Sequence, residues 1–260
     1  MIGSTSGRPV VIKLGGAALP HRDAVLRDLA DAREAGFQPI LVHGGGPVIS
    51  DWLKRIGKQP TFVDGLRVTD AETLEIATMA LAGKVNKELV ATLNLAGTPA
   101  VGLAGADGGW IRARRILQPD LGFVGEVVSV DPTPAFALIA AGYLPVVAPI
   151  ALGDEGLLNI NADTVAGDIA RAVCAALLIF LTDVPGVKNS SGQVASHLTA
   201  GQVQVMREDG TIAGGMIPKV QACLRAAEAG ARAVIADGGD PGAIGIHVRG
   251  EFGNGTTITA

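Results

Sequence analysis

Val10-Val11-Ile12-Lys13-Leu14-Gly15-Gly16 and Pro39-Ile40-Leu41-Val42-His43-Gly44-Gly45-Gly46-Pro47 decide how this chain folds. Each is a short, β-branched apolar run that ends in glycines. Such a run reads as a strand buried on both faces, opening into a loop where the backbone closely approaches another group. Between the two, Val25, Leu26, Leu29 and Ala32 recur at helical spacing until Gly36 stops them, so the segment predicts a βαβ unit. Pro47 suits a first helical position, and Val48, Ile49, Trp52 and Leu53 continue a helix with the three glycines at its N-terminus.

The same alternation extends through the rest of the chain. Residues 61–68 predict a short extended segment or hairpin, and Thr69 and Glu72 have the spacing of a capping box. The helix they open is long, with Leu74, Ala77, Leu81, Val85, Leu89 and Leu93 on one stripe and Gly97 closing it. Residues 100–103 read as a strand, 111–130 as hairpin material, 131–132 as a helix start and 143–150 as a buried strand. After a turn at 154–156, residues 159–163 lead into a helix through Cys174. The strongest later strand is 176–181, followed by a polar stretch, an Ala-rich helix from the 214–219 region to Ala229, and strands at 233–236 and 256–259. Repeated βα units predict an α/β protein with a mainly parallel sheet.

Composition agrees. Hydrophobic residues make up 48% and aromatics 3%, which suits helices packed closely on a sheet. With a net charge of −4 and scattered Lys and Arg, there is no footprint for nucleic acid or an anionic membrane. Residues 1–9 are small and polar, which argues against a signal peptide and reads as an arm. The uncharged stretch 132–153 is broken by Pro134, Gly142, Pro145 and Pro149, so it predicts helix, turn and strand rather than a membrane span. Cys174 and Cys223 read as small core residues, which fits a reducing cytoplasm. No linker divides the chain; a functional boundary is expected near residue 175, with one ligand held before it and another after.

Neither a P-loop nor a Rossmann fingerprint is present. Gly15, Gly16, Gly44, Gly45 and Gly46 could instead turn backbone N–H groups toward a phosphate, although tight βα turns explain each run taken alone. Lys13 ends a buried strand, where an open α/β sheet meets its ligands, and a cation there requires an anion or a route to solvent. Lys219 lies just inside a helix start, where the dipole disfavours a cation unless an anion joins it. Two such lysines point to one multiply charged ligand. Asp163 stands at a helix entrance, as an N-cap or as the carboxylate that holds the lysines. Asn159 and Asn161 alternate and would face one side, contacting a polar substrate or fixing a turn. Arg67 is a fork donor on the hairpin, for a substrate carboxylate or a surface ion pair. His43 has no Asp or Ser arrangement around it, so catalysis by it is not expected, and no side-chain metal site is assigned.

Seven runs, in order, resemble those of the N-acetylglutamate kinases, a branch of the amino-acid kinases: 11–16, 41–47, 63–69, 82–87, 159–163, 181–187 and 214–219. The resemblance covers nearly the whole chain from Pro9. It implies a three-layer αβα sandwich around a mainly parallel open sheet. Residues 1–175 would bind the acyl amino acid and support dimerisation, and residues 176–260 would bind ATP. The implied reaction is ATP- and Mg²⁺-dependent phosphorylation of the γ-carboxylate of N-acetyl-L-glutamate, in arginine biosynthesis. Lys13, Lys219 and Asp163 match the catalytic positions, and Gly15, Gly16, Gly44 and Gly45 the phosphate donors. Gly45, Gly46, Arg67, Asn159 and Asn161 fall at the acceptor site. Thr182, Asp183, Val184, Gly186, Val187, Gly215, Met216 and Lys219 fall at the nucleotide.

Departures are few. Ala106 stands where many relatives have lysine, and about nine residues precede the first strand where arginine-inhibited relatives carry a further helix. Residues 247–257 only partly resemble an arginine-sensing pattern. A cytoplasmic homodimer without strong arginine feedback is therefore expected, with the helix 71–95 as its contact surface. The alternatives are a related kinase acting on a carrier-linked aminoadipate, a carbamate, aspartate or a phosphate monoester, and a non-catalytic ligand-binding module of the same fold.

Overall fold

The computed structural model describes residues 7–15, 22–240, 242–251 and 253–260. Most of the expected N-terminal arm, and Gly16 with its phosphate role, lie outside the described residues. In chain order the elements are β1 (Pro9–Leu14), α1 (Arg22–Glu34), β2 (Gln38–His43), α2 (Gly46–Arg55), β3 (Phe62–Val63), β4 (Leu66–Arg67) and α3 (Ala71–Thr78). A π-helical segment, Met79–Val85, joins α3 to α4 (Asn86–Leu95). Then follow β5 (Ala100–Ala104), β6 (Ile111–Arg115), β7 (Val124–Val130), α5 (Thr133–Ala140), β8 (Leu144–Ala148), β9 (Ile150–Leu152) and β10 (Leu157–Ile160). The remainder comprises α6 (Ala162–Ala172), β11 (Leu177–Thr182), β12 (His197–Thr199), α7 (Ala200–Glu208), α8 (Met216–Glu228), β13 (Arg232–Asp237), α9 (Ala243–Val248) and β14 (Thr256–Thr259).

Two compact units result: Met1–Leu41 with Ala166–Ala260, and Val42–Val165. The functional boundary expected near residue 175 is not where compactness divides the chain. The reason is the sheet: β1 pairs in parallel with β11, Val10 opposite Leu177 through Leu14 opposite Leu181, which joins the first residues to the C-terminal part.

In the first unit the strand order is β12-β14-β13-β11-β1-β2. β1, β11 and β13 are mutually parallel, and β14 runs antiparallel to β13. Every residue of β1 and β11 is buried, as continuous apolar runs require when both faces of a parallel sheet are covered. Helix α8 packs tightly on α6: a Cβ on Gly167 would lie 2.8 Å from that of Ala222. Beside this contact the buried Asp168 carboxylate meets Arg171 at 3.5 Å and Arg225 at 3.7 Å. Burial pushes the Asp168 carboxyl above its usual range, against the pull of both arginines.

In the second unit β5 and β8 pair in parallel, and β10, β7, β6 and β9 form a separate closed set of strands. Ile49 and Leu53 of α2, Ile76 and Ala77 of α3, Ala80 and Leu81 of the π segment, and Ala104, Ala148 and Ile150 form one apolar core.

Several expectations shift in detail. The cap of α3 is Asp70, whose carboxylate accepts the N–H of Thr73 at 3.0 Å; the Thr69–Glu72 box does not form. The Thr69 hydroxyl is turned elsewhere, donating to the Arg67 carbonyl at 2.7 Å and accepting from the Asn159 amide at 3.1 Å. The long helix ends at Leu95 and Gly97 takes a left-handed φ of 82°, as expected, but the π segment interrupts it. The expected strand 143–150 splits at Pro149 into β8 and β9. Helix α9 was not foreseen. Cys223 is buried, whereas Cys174 is exposed with φ 48°, because α6 stops before it and the chain turns there.

Candidate functional site

In the second unit the site is built around a hairpin. Asp64 and Gly65 both have positive φ, 49° and 79°, which gives β3 and β4 a tight two-residue turn and sets Phe62 opposite Arg67. Arg67 is only 7% exposed. One guanidinium nitrogen, Nη2, donates to the Gly46 carbonyl and to the Ser50 hydroxyl, each at 2.9 Å. The guanidinium lies 4.6 Å from the centre of the Phe62 ring. The other, Nη1, is buried without a hydrogen-bond partner among the described residues. Burial pulls the group below the ordinary arginine range, so a charge is held here at a cost that an anion would offset.

Gly45 caps α2, Pro47 follows at the first turn, and no acidic residue occupies that turn. The leading N–H groups of a helix have no intrahelical acceptor, which suits an anion. Gly45 is glycine for packing rather than dihedral reasons: its φ of 173° is extended, but a Cβ would meet Leu81 at 2.7 Å and Val85 at 3.3 Å.

Asn159, on β10, donates its amide to the Thr69 hydroxyl at 3.1 Å, which links it to the Arg67 strand. Asn161 lies beyond β10, and its Oδ1 accepts the N–H groups of Asp163 at 2.9 Å and Thr164 at 3.1 Å. It is the cap of α6. The expected alternation of the two asparagines along one strand is therefore not observed, and the oxygen of Asn161 is engaged by the helix. Asp163 sits in the first turn of α6, 5% exposed, and is not the cap.

His43 is fully buried. Its Nδ1 donates to the Gly44 carbonyl at 2.9 Å, and Nε2 accepts from the Asn86 amide at 3.1 Å, which fixes a neutral tautomer. Asn86 also donates to the Val146 carbonyl at 2.9 Å, and a Cβ on Gly102 would strike its Oδ1. His43 thus braces the glycine loop. A cavity of about 530 Å³ opens elsewhere in this unit, lined among others by Leu74, Arg115, Phe123, Asp154 and Leu158; none of the expected residues line it.

In the first unit Lys13, Gly15 and Thr182 lie where the parallel strands β1 and β11 end. Lys13, 6% exposed, lies in register with Phe180. The N–H of Gly15 donates to the Leu181 carbonyl at 2.9 Å, so this N–H is engaged by β11 and is not a donor for phosphate. A Cβ there would come 3.0 Å from the same oxygen, a tight contact with the main chain of β11. Beyond Thr182, whose hydroxyl donates to Asp183 at 2.9 Å, Gly186 has φ 152° and Val187 is buried. Thr256 of β14 holds this loop: its hydroxyl accepts the Val187 N–H at 2.8 Å. That anchor lies far along the chain, with no local signal to reveal it. Lys219, in the first turns of α8, donates to the Gly215 carbonyl at 3.2 Å. Gly215 and Met216 open this helix.

The sequence profile of the amino acid kinase family matches residues 8–237. The chain belongs to the amino acid kinase family. The α/β fold with helices about a mainly parallel sheet is that family's, in the three-layer form expected. Acetylglutamate kinase of Symbiobacterium thermophilum is 48% identical, the match covering 97% of this chain and 92% of the relative. Acetylglutamate kinase of Acidiphilium cryptum is 46% identical, covering 98% and 91%. Among solved structures, smu.665 from Streptococcus mutans UA159 superposes with a TM-score of 0.83 at 29% identity, covering 97% of this chain and 98% of that one.

Proposed function

We propose that this amino acid kinase transfers the γ-phosphoryl group of ATP to the γ-carboxylate of N-acetyl-L-glutamate, forming N-acetyl-L-glutamyl 5-phosphate for arginine biosynthesis. The observation that carries this reading is Arg67, a buried guanidinium oriented by Gly46 and Ser50 with Nη1 unpartnered among the described residues. A substrate carboxylate supplies the missing anion. The relatives at 48% and 46% identity, both acetylglutamate kinases, support that choice of acceptor.

The chemistry asks little of the protein in proton transfer. A glutamyl side chain has a pKa of about 4.3 and is already ionised at neutral pH, so its oxygen can attack phosphorus without a general base. The new bond is carboxylate oxygen to γ-phosphorus, the bond broken is γ-phosphorus to the bridging oxygen of ADP, and no proton moves. What must be supplied is positive charge for the phosphoryl oxygens. Lys13 and Lys219 are assigned that role, the N-terminus of α2 offers oriented N–H donors, and Asp163 is assigned as the carboxylate of the catalytic set. Mg²⁺ enters as part of the nucleotide substrate, on its phosphate oxygens. The loop from Thr182 to Val187, with Gly215 and Met216, takes the nucleotide.

The reading extends to a cytoplasmic enzyme and a homodimer. Among the described residues no helix is long and apolar enough to cross a membrane. Exposed Met79 and Leu95, on the π segment and α4, support a protein contact along that rod. The test is ATP turnover with a panel of acceptors: acetylglutamate, glutamate, aspartate, aminoadipate and carbamate. ADP release driven selectively by acetylglutamate is expected, and turnover of another acceptor without it would overturn the assignment.

A further inference from the structure

Arg67 and Asn159 come from β4 and β10, far apart in sequence, yet one side chain bonds to both strands. Thr69 is fully buried. Its hydroxyl has a single hydrogen, which goes to the Arg67 carbonyl at 2.7 Å, so toward Asn159 it can act only as an acceptor. The group facing it at 3.1 Å is accordingly the Asn159 amide nitrogen, and this fixes which end of that amide points away.

The backbone of Thr69 is held with equal firmness. Its N–H donates to the Leu121 carbonyl at 2.8 Å, and its carbonyl accepts the Phe123 N–H at 2.6 Å. Between them Gly122, with φ 75°, passes so close that a Cβ would lie 2.2 Å from the Thr69 oxygen. Phe123 in turn accepts the N–H of Asn159 at 2.9 Å. Arg67, Thr69, the 121–123 turn and Asn159 therefore form one closed set of hydrogen bonds, with Thr69 contributing through both its side chain and its main chain.

We propose that Thr69 is a positioning residue for acceptor binding: it couples the Arg67 strand to Asn159 and fixes the orientation of the Asn159 amide, and Gly122 is the glycine that lets it sit there. The proposal rests on the acetylglutamate reading. Thr69 touches no reacting atom; it acts through the main chain of Arg67 and the side-chain amide of Asn159. Its removal should therefore show in the KM for the acceptor, not in the KM for ATP.

The experiment compares Thr69→Val, which keeps shape and loses the hydroxyl, with Thr69→Ser, which keeps the hydroxyl. With two hydrogen bonds lost, Thr69→Val should raise the KM for acetylglutamate roughly tenfold while the KM for ATP stays within about twofold. Thr69→Ser should return the acceptor KM to within about threefold of the wild type. If the valine protein does not fold, Thr69→Cys, a weak hydrogen-bond partner of similar size, takes its place with the same expectation. An unchanged acceptor KM in a folded variant, an equal rise in both KM values, or failure of serine to restore binding would each overturn the proposal. Wild-type turnover is measured first. Its absence with acetylglutamate counts against the substrate reading alone, and the variants are then assayed on the carboxylate acceptor that the wild type does use.

Discussion

Arg67 is the side chain on which the proposed acceptor site rests most heavily. It is planar, buried, stacked on Phe62 and tied by one nitrogen to Gly46 and Ser50, which leaves a fixed edge for an anion. Lysine cannot reproduce that edge, being a point charge on a flexible stem. Arg67→Lys should raise the KM for acetylglutamate by roughly 10- to 100-fold, with kcat changed only a few-fold, as steady-state kinetics on both substrates would show. A large loss of kcat at unchanged KM would contradict a binding role. The kind of group at this position was legible in the sequence, since an arginine on a short hairpin invites a carboxylate. Its burial was not, because Ser50 and Gly46 approach it only in the folded unit. Gly15 shows the opposite case: the glycine was legible, but the sequence could not show that its N–H is engaged by Leu181.

Among the elements, α3 makes the clearest prediction. Asp70 caps it, accepts from Lys58 at 2.6 Å and has its pKa pulled down to about 2, first by Lys58 and then by Thr73. Because the folded pKa is below the unfolded one, the stabilisation is present above the ordinary aspartate value of 3.8 and is lost as pH falls through about 2. The carboxylate is largely exposed, so solvent screens the Lys58 contribution and the cap is the main effect. Asp70→Ala should cost about 1 kcal/mol at pH 7. Denaturant titrations should show wild type and variant converging between about pH 4 and about pH 2; a constant gap across that range would count against the cap.

The boundaries of most elements could be read from period and punctuation, as Gly36 and Gly97 show. The cap of α3 was misplaced by one residue because Thr69 and Asp70 both qualify locally, and the choice is made by Arg67 and Asn159. The π segment could not be read at all: Leu81 and Val85 lie on the same apolar stripe whether the turn there is α or π. Helix α9 is too short to show a period.

In the whole molecule the chain forms two compact units whose membership is not sequential. The groups proposed for acceptor binding belong to one, and most of those proposed for nucleotide and phosphate to the other. The sequence signalled the two tasks through its lysines and glycine runs but not the partition, which follows from the parallel pairing of β1 with β11. In the proposed reaction a carboxylate, not a hydroxyl or an amine, receives the phosphoryl group. An acyl phosphate reacts with hydroxylamine to give a hydroxamate, whereas a phosphate ester does not. Incubating the enzyme with ATP, Mg²⁺, acetylglutamate and hydroxylamine should give hydroxamate in step with ADP, and Lys13→Ala should lower the rate by orders of magnitude. ADP formed with acetylglutamate but without hydroxamate would rule out phosphoryl transfer to the carboxylate.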